Sequence, residues 1–349
     1  MEMTVLARNL TGVQLKGGWT VKTLLPLPLG ATGGSFSVGY LVDNTDGRKG
    51  FLKALDYSRA LTVPDVARAL QALTTAYNFE RDVLDVCKSM RMDKIVTAID
   101  YGSYRDPSPA AIIPVDYIIF ALADGDIRKH LLSVGTIEMA WRLNTLHHVA
   151  VGLSQLHKVK IAHQDLKPSN VLTFGRKEAR IADLGRVVRA GVPMPHDKLP
   201  FAGDPGYQPI ECHYGHSPAE WEPRRLGCDL YHLGNLTAFL FGLTNITAAI
   251  IVKLNVSHRP GRWSGLYKDV VPFLRHAFEE VLVDFEAGVA ATGYAHAAEI
   301  ARFVREQCEP DPRERGVPRL RGGKAQYSLE IYISRLNYLA HRAETMGLR

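Results

Sequence analysis

One stretch of the chain restricts its fold more than any other, because residues 230–252 include no charged side chain. A stretch of this length can cross a bilayer, and otherwise it must lie inside a large protein core. Polar residues such as His232 and Asn235 interrupt it, and Asp229 stands directly before it. Such residues are unfavourable in a membrane span. Composition therefore favours a place inside a protein core, and at this point it leaves a membrane span open as the alternative.

The chain is long enough to build such a core. Its 349 residues correspond to about two folding units or one large one. Hydrophobic residues make up 46% and charged residues 22%, which excludes a disordered chain, a collagen-like repeat and a coiled coil. The formal net charge is +6, but the basic residues are scattered among acidic ones. We therefore expect no nucleic-acid partner.

Cysteine usage and the N-terminus indicate where a chain like this works. The four cysteines lie far apart and form no Cys-x-x-Cys pair. This argues against a structural zinc site and against a secreted disulfide framework. The first residues contain no apolar run between a basic start and a cleavage site, so no secretory signal is indicated. We expect a cytoplasmic location.

Residue periodicity predicts a strand-rich first third followed by a helical remainder. A long helix is predicted after Pro64, and a last amphipathic helix at about residues 328–346. The β-prone runs are residues 19–29, 40–55, 95–101 and 115–120.

The most informative spacing is the run HQDLKPSN at residues 163–170, followed by DLG at residues 183–185. The Asp165 carboxylate can accept or align the proton of a hydroxyl group. Asn170 and Asp183 supply the hard oxygen ligands that Mg²⁺ prefers. Lys167 adds a cation suited to charge on a transferred phosphoryl group. Positioning and charge stabilisation are most of what phosphoryl transfer requires, so the pattern indicates that chemistry.

These two motifs resemble the catalytic loop and the metal-binding motif of the protein kinases. The resemblance implies an α+β, two-lobed protein-kinase-like fold, with a small β-rich N-lobe that contains one long helix and a larger helical C-lobe. It also implies ATP and Mg²⁺ as cofactors, with Mn²⁺ as an alternative ion. The expected domains are an N-terminal leader (1–18), a kinase domain (19–321) and a C-terminal helix packed on the C-lobe (322–349). Within the kinase domain we expect the N-lobe at 19–120, the hinge at 121–125 and the C-lobe at 126–321.

The resemblance extends to the parts that bind ATP. Lys53, at the end of a strand, is similar to the lysine that pairs with the α- and β-phosphates, and Glu80 is the best candidate for its partner. The glycine-rich loop over the phosphates would be Gly33, Gly34, Ser35, Phe36 and Ser37.

The adenine side follows the same resemblance. The backbone of Ala121 and Ala123 would bind the base, and Phe120 would lie at the back of its pocket. Asp126 resembles the acidic residue that contacts ribose or peptide. Gly39 takes the place of the usual valine over adenine.

Three further matches indicate a protein substrate rather than a small molecule. Residues 206–211 resemble the motif that closes the activation segment, and residues 229–234 resemble the motif that opens the central helix. The resemblance thus implies that the uncharged stretch is one central helix, apolar on all sides because protein surrounds it, with no contact to a membrane. Arg315 would form an ion pair with Glu211. Small-molecule kinases of related fold lack these parts, so we rank that class lower.

Two departures from the family bear on regulation and specificity. Gln164 replaces the arginine that reads a phosphate on the activation segment, and no serine or threonine lies between Asp183 and Glu211. We therefore expect a non-RD kinase that needs no phosphorylation there. Asp204 stands where Ser/Thr kinases usually carry a threonine, which weakens the Ser/Thr assignment that Lys167 supports.

The sequence thus predicts an ATP-dependent protein kinase of the serine/threonine type. The competing class is a pseudokinase-like interaction module on the same fold. It ranks lower because every polar catalytic position is filled. We expect a protein substrate, and regulation either by a separate protein partner or by the C-terminal helix.

Overall fold

The computed structural model describes residues 6–26, 37–107, 113–133, 138–175, 177–193, 199 and 201–346. The chain forms two compact units, one ending at Ala123 and the other beginning at Asp124. The first unit is a β-sheet with one long helix and the second is mainly helical, which confirms the predicted α+β class.

The first unit is built on an antiparallel five-stranded sheet in the order β1-β2-β3-β5-β4. Its elements are β1 (Trp19–Leu24), β2 (Ser37–Asn44), β3 (Lys49–Leu55), α1 (Val66–Ser89), β4 (Ala98–Tyr104) and β5 (Val115–Ala121).

The β-prone run over residues 40–55 is a hairpin of two strands rather than one. Asn44 Oδ1 accepts a hydrogen bond from the Asp46 amide at 3.2 Å, and Asp46 Oδ1 accepts one from the Arg48 amide at 3.0 Å. Gly47 has a φ of 87°, a backbone angle that is unfavourable for residues with a Cβ atom. Asn, Asp and Gly together favour a turn, and they end β2 where the hydrophobic alternation alone would continue it.

One face of this sheet forms the core of the first unit, and the N-terminal segment covers it. Leu10 and Leu15 pack against the buried side chains of β1, β2, β3 and β5. The Tyr40 hydroxyl donates to the Ala7 carbonyl at 2.9 Å and accepts from the Leu10 amide at 3.3 Å. Described residues of the predicted leader therefore belong to this core. The opposite face, which carries Lys53, is only half-buried around that residue.

The second unit is mainly helical, with short strands close to its start. Its elements are β6 (Gly125–Asp126), α2 (Ile127–Ser133), α3 (Met139–Lys158), β7 (Ile161–Ala162), β8 (Val171–Phe174), β9 (Glu178–Ile181), β10 (Val188–Arg189), α4 (Gly227–Gly242), α5 (Ile246–Lys253), α6 (Tyr267–Ala291), α7 (Ala297–Gln307) and α8 (Glu330–Met346). Helix α8 packs against α3, and its residues Leu336 and Leu339 are buried.

The uncharged stretch forms two helices, so the prediction of one central helix was wrong. Leu243 ends α4 with a φ of 52°, and Asn245 Oδ1 accepts from the Ala248 amide at 3.0 Å to begin α5. The burial of α4 is confirmed, whereas Val252 on α5 is 71% exposed. No single helix in the described ranges is long and apolar enough to span a membrane. Only the pair formed by residues 222–242 and 246–253, bent by 85°, meets that criterion.

The predicted ion pair between Arg315 and Glu211 is confirmed. Arg315 Nη1 and Nη2 donate to the two carboxylate oxygens of Glu211 at 2.7 and 2.5 Å. The Arg315 side chain has no exposed surface, its guanidinium lies 4.7 Å from the centre of the Tyr231 ring, and its Nε donates to the Glu309 carbonyl at 2.8 Å. A buried, bidentate arrangement of this kind ties the chain after α7 to the segment that precedes α4.

Breaking this pair should destabilise the protein strongly. Arg315→Met leaves the Glu211 carboxylate buried without its cation, and we expect the free energy of unfolding to fall by about 3–5 kcal/mol. Arg313 offers a matched control, since its pair with Glu220 is exposed and Arg313→Met should cost at most about 1 kcal/mol. Chemical denaturation measures both values. Equal losses in the two variants would contradict the structural role of the buried pair.

Candidate active site

The first unit contributes a partly buried lysine–glutamate pair. Lys53 on β3 places its Nζ 2.8 and 2.9 Å from the carboxylate oxygens of Glu80 on α1, which confirms the predicted pairing. Helix α1 begins at Asp65, whose side chain accepts from the Arg68 amide at 3.0 Å. Tyr77 and Leu84, one turn on either side of Glu80, are also buried, so helical periodicity turns Glu80 inward. The Lys53 side chain stays 28% exposed and can meet an anion.

Part of the predicted nucleotide site lies outside the described residues. This holds for Gly33, Gly34, Ser35 and Phe36, whereas Ser37 begins β2. Ala121 is the last residue of β5, and Ala123 follows two residues later.

The second unit holds Asp165 through both of its carboxylate oxygens. The backbone amide of Asp204 donates to Oδ1 at 2.7 Å, and Asn170 Nδ2 donates to Oδ2 at 3.2 Å. The same Asn170 nitrogen donates to the Asp165 carbonyl at 2.8 Å. These bonds fix the direction of a carboxylate that is almost completely buried.

Lys167 lies between two carboxylates. Its Nζ is 2.9 Å from Asp204 Oδ2 and 3.4 Å from Asp165 Oδ2, so it forms an ion pair with both carboxylates. Burial alone would lower the pKa of Lys167, but the two carboxylates together raise it. Burial raises the pKa of Asp165, and this outweighs the opposing effects of Lys167 and of the Asp204 amide.

Gly203 allows the chain to approach Asp165 this closely. A Cβ atom at residue 203 would lie 2.9 Å from Asp165 Oδ1 and would overlap the Gln164 carbonyl oxygen. The Asp204 amide can therefore reach Asp165 only because residue 203 has no side chain.

Asp126, the remaining residue of the expected nucleotide site, lies at the start of α2. Its Oδ1 accepts from the Lys129 amide at 2.7 Å, which is the bond of a helix cap. Its Oδ2 is 3.9 Å from Arg128 Nη2.

A short hairpin places Asn170 and Asp183 at one end of β8 and β9. Val171 pairs with Ile181, and the Ala182 amide donates to the Asn170 carbonyl at 2.8 Å. Asp183 is exposed and adopts a left-handed backbone with a φ of 60°, which is uncommon for a residue with a side chain.

The chemistry of these two residues fits Mg²⁺. A carboxylate and an amide oxygen are hard ligands, and Mg²⁺ in phosphoryl-transfer sites usually takes few protein ligands beside phosphate oxygens. In the part of the chain that the structure describes, no three His, Cys, Asp or Glu residues cluster as a metal site.

The loop over residues 163–170 is anchored by one buried carboxylate, that of Asp229. It accepts from the His163 amide at 2.7 Å, from the Gln164 amide at 2.8 Å and from His157 Nε2 at 2.9 Å. Burial would raise the pKa of Asp229, but these hydrogen bonds and the nearby histidines lower it. The carboxylate therefore stays charged inside the core.

His163 links the loop to the hairpin. Its Nδ1 accepts from the Asp165 amide at 3.2 Å, which leaves Nε2 to donate to the Ala182 carbonyl at 3.1 Å. The ring is thus a neutral tautomer that connects the residue before Asp183 to the backbone of Asp165.

Gln164, which replaces the usual arginine, is turned into the protein. Its Nε2 donates to the Arg225 carbonyl at 2.9 Å, and its Oε1 accepts from Arg225 Nη1 at 3.1 Å. Only 1% of the surface of Gln164 is exposed, so this side chain forms its hydrogen bonds inside the protein.

Protein contacts also hold the segment after residue 200. Asn245 Nδ2 donates to the Gly206 carbonyl at 2.9 Å, and Thr247 Oγ1 donates to the Gln208 carbonyl at 3.1 Å. The Phe201 ring meets the buried His232 ring edge to face, with centroids 5.8 Å apart.

Sequence reasoning missed three of these features. It did not assign Asp229 to the catalytic loop, although an acid beside an uncharged stretch was the available signal. It did not foresee the bond from the Asp204 amide to Asp165, nor the inward bonds of Gln164, because both depend on tertiary contacts.

Comparison with known proteins agrees with this geometry. Residues 34–315, more than half of the chain, match the family model described as "Protein kinase domain". Rhodopsin kinase grk7-b of Danio rerio is 26% identical over 159 residues, covering 44% of this chain and 25% of that protein. Rhodopsin kinase GRK7 of Homo sapiens is 30% identical over 118 residues, covering 31% of this chain and 20% of that protein.

A third relative matches over a shorter segment but with a higher sequence identity. Serine/threonine-protein kinase SBK1 of Danio rerio is 39% identical over 51 residues, covering 14% of this chain and 13% of that protein. The chain thus matches a quarter or less of the length of each of these relatives.

The buried His232 should make stability depend on pH. Burial lowers the pKa of His232 from 6.5 to about 4, so between these values the unfolded chain binds more protons than the folded one. Stability therefore falls as the pH falls, by about 2 kcal/mol between pH 6.5 and pH 5. The titratable groups that act on His232 are Asp229, His163 and Arg315.

The variant His232→Leu removes this dependence. We expect its free energy of unfolding to lose about 2 kcal/mol less than that of the wild type over this pH interval. His276→Gln is the matched control, because His276 is 81% exposed, and it should follow the wild type. Parallel pH profiles for His232→Leu and the wild type would contradict the burial of a neutral imidazole.

Proposed function

The chain belongs to the protein kinase domain family, and from that premise we propose that it transfers the γ-phosphoryl group of Mg-ATP to a serine or threonine hydroxyl of a protein. The observation that carries this proposal is the fixed Asp165 carboxylate with Lys167 beside it. A buried acid with a raised pKa is suited to accept the hydroxyl proton during transfer.

The other predicted site residues also have roles in this reaction. Lys53 binds the α- and β-phosphates, and Glu80 positions its ammonium group. Asn170 and Asp183 hold Mg²⁺, for which Mn²⁺ can substitute, and the ion neutralises phosphate charge when it is bound. Lys167 stabilises charge on the transferred group, and the Asp204 carboxylate keeps the Lys167 ammonium group beside Asp165.

The nucleotide would make its other contacts with residues named from the sequence. The backbone of Ala121 and Ala123 binds adenine, Asp126 contacts ribose or peptide, and the glycine-rich loop over residues 33–37 covers the phosphates. A serine or threonine substrate is supported by Lys167 and by the likeness to serine/threonine-protein kinase SBK1.

The proposal includes a cytoplasmic protein substrate and a regulator outside the active site. Either a separate protein partner or α8, which packs on α3, is suited to that role. A pseudokinase-like interaction module is the second candidate function, and Asp204 favours it, because this acid shares Lys167 with Asp165.

Three substitutions test the reaction. With radiolabelled Mg-ATP and a generic protein acceptor, Asp165→Asn should lower kcat about 10²- to 10⁴-fold. Asp183→Ala and Lys53→Ala should abolish transfer while thermal unfolding stays cooperative. Lys49→Ala is the control, because Lys49 is an exposed residue on the strand that carries Lys53. Transfer retained in Asp183→Ala would refute the assigned roles, and no transfer by the wild type would favour the interaction module.

We further propose that the enzyme is of the non-RD type and needs no phosphate on its activation segment. Residues 183–211 contain no serine or threonine, and Gln164 is turned inward onto Arg225. Phosphatase-treated protein should therefore retain its full kcat, and mass spectrometry should find no phosphate in residues 183–211. Activity that vanished on treatment and returned with phosphorylation of that segment would overturn this point.

A further inference from the structure

The half-buried face of the first unit's sheet combines Lys53 with an apolar surface. Lys53 lies on this face, and around it four partly exposed apolar side chains are found, namely Leu25, Leu41, Phe51 and Phe120. The opposite face is filled by the core and offers no comparable surface among the described residues. A flat apolar surface beside a lysine is complementary to a nucleotide, which joins a planar base to an anionic tail.

Phe51 and Gly39 form a matched pair on this face. A Cβ atom added to Gly39 would lie 2.9 Å from Cε2 and 3.2 Å from Cζ of the Phe51 ring. The edge of the ring therefore occupies the space that a side chain at residue 39 would take. Phe120, opposite Phe51 across β3 and β5, places its ring centroid 6.5 Å away.

This pair departs from the family pattern. The strand motif of protein kinases is Val-Ala-Ile-Lys, with alanine two residues before the lysine, where this chain has Phe51. Gly39 in turn replaces a valine. Relative to the family motif, the larger Phe51 thus replaces alanine on β3, and the smaller Gly39 replaces valine on β2. An aromatic ring therefore takes the place of an aliphatic surface.

We propose that Phe51 is a specificity-determining residue that binds the adenine base of ATP by aromatic stacking, and that Gly39 is required to seat its ring. This inference rests on the proposed function, which assigns the phosphates to Lys53. Residues two apart on one strand face are separated by roughly 6–7 Å, a distance that the ribose and α-phosphate of a nucleotide can bridge. Phe51 lies on the side of Lys53 nearer to Ala121, whose backbone we assign to the base.

The first experiment separates the base from the phosphates by calorimetry on the full chain. Mg-ATP should bind Phe51→Ala about ten-fold more weakly than the wild type, because base stacking on an aromatic ring is lost. Phe51→Tyr should stay within about two-fold, and Phe51→Leu, which keeps apolar bulk without a ring, should lie between them. Magnesium tripolyphosphate, which has no base, should bind the wild type and Phe51→Ala equally but bind Lys53→Met more weakly.

A second experiment tests the pairing. Gly39→Val should displace the Phe51 ring and weaken Mg-ATP binding, whereas the double variant Gly39→Val, Phe51→Ala should bind more tightly than Gly39→Val alone. Such non-additivity is expected of residues in contact and not of distant, independent ones. Tyr101→Ala, at an exposed residue of the same sheet, serves as the control for unspecific effects, and thermal unfolding verifies that each variant is folded.

The outcomes distinguish this inference from the proposed function. If the wild type binds Mg-ATP but Phe51→Ala binds it equally or more tightly, the ring does not hold the base and the inference is overturned. Equal loss of tripolyphosphate binding in Phe51→Ala would also overturn it. If the wild type binds neither Mg-ATP nor tripolyphosphate, the proposed function fails and the inference fails with it.

Discussion

The arrangement of the catalytic loop depends on a charge inside the protein, that of the Asp229 carboxylate. A buried carboxylate is tolerated only when donors surround it, and here the amides of His163 and Gln164 are among those donors. Satisfying this charge therefore fixes the backbone of the two residues before Asp165. The apolar helix α4 thus supports the loop through the single acid near its start, and the rest of the helix supplies the dry surroundings that make those bonds strong.

Carboxylate and amide contacts also order the candidate site. The Asp204 amide donates to the Asp165 carboxylate, and the Asp204 carboxylate forms an ion pair with Lys167. One residue therefore aligns two others. Asn245 both begins α5 and binds the Gly206 carbonyl. Asn245, which lies at the break in the uncharged stretch, thus connects the start of α5 to this segment.

Much of this could be predicted from sequence where local spacing carries the information. The Lys53–Glu80 and Glu211–Arg315 pairs follow from motifs, and α1 and α8 follow from periodicity. The break at Leu243 could not be predicted in this way, since composition alone cannot distinguish one buried helix from two. The inward bonds of Gln164 depend on Arg225, far away in sequence, and the ring of Phe51 occupies the space over Gly39 only once β2 and β3 are paired.

The contact at Gly203 limits how such a chain can vary over evolutionary time. Residue 203 takes no part in the chemistry, yet any side chain there would push the segment away from Gln164 and Asp165. A substitution there would thus disturb the candidate site for a purely steric reason. Tolerance to mutation in this loop is set by the distance between two backbones.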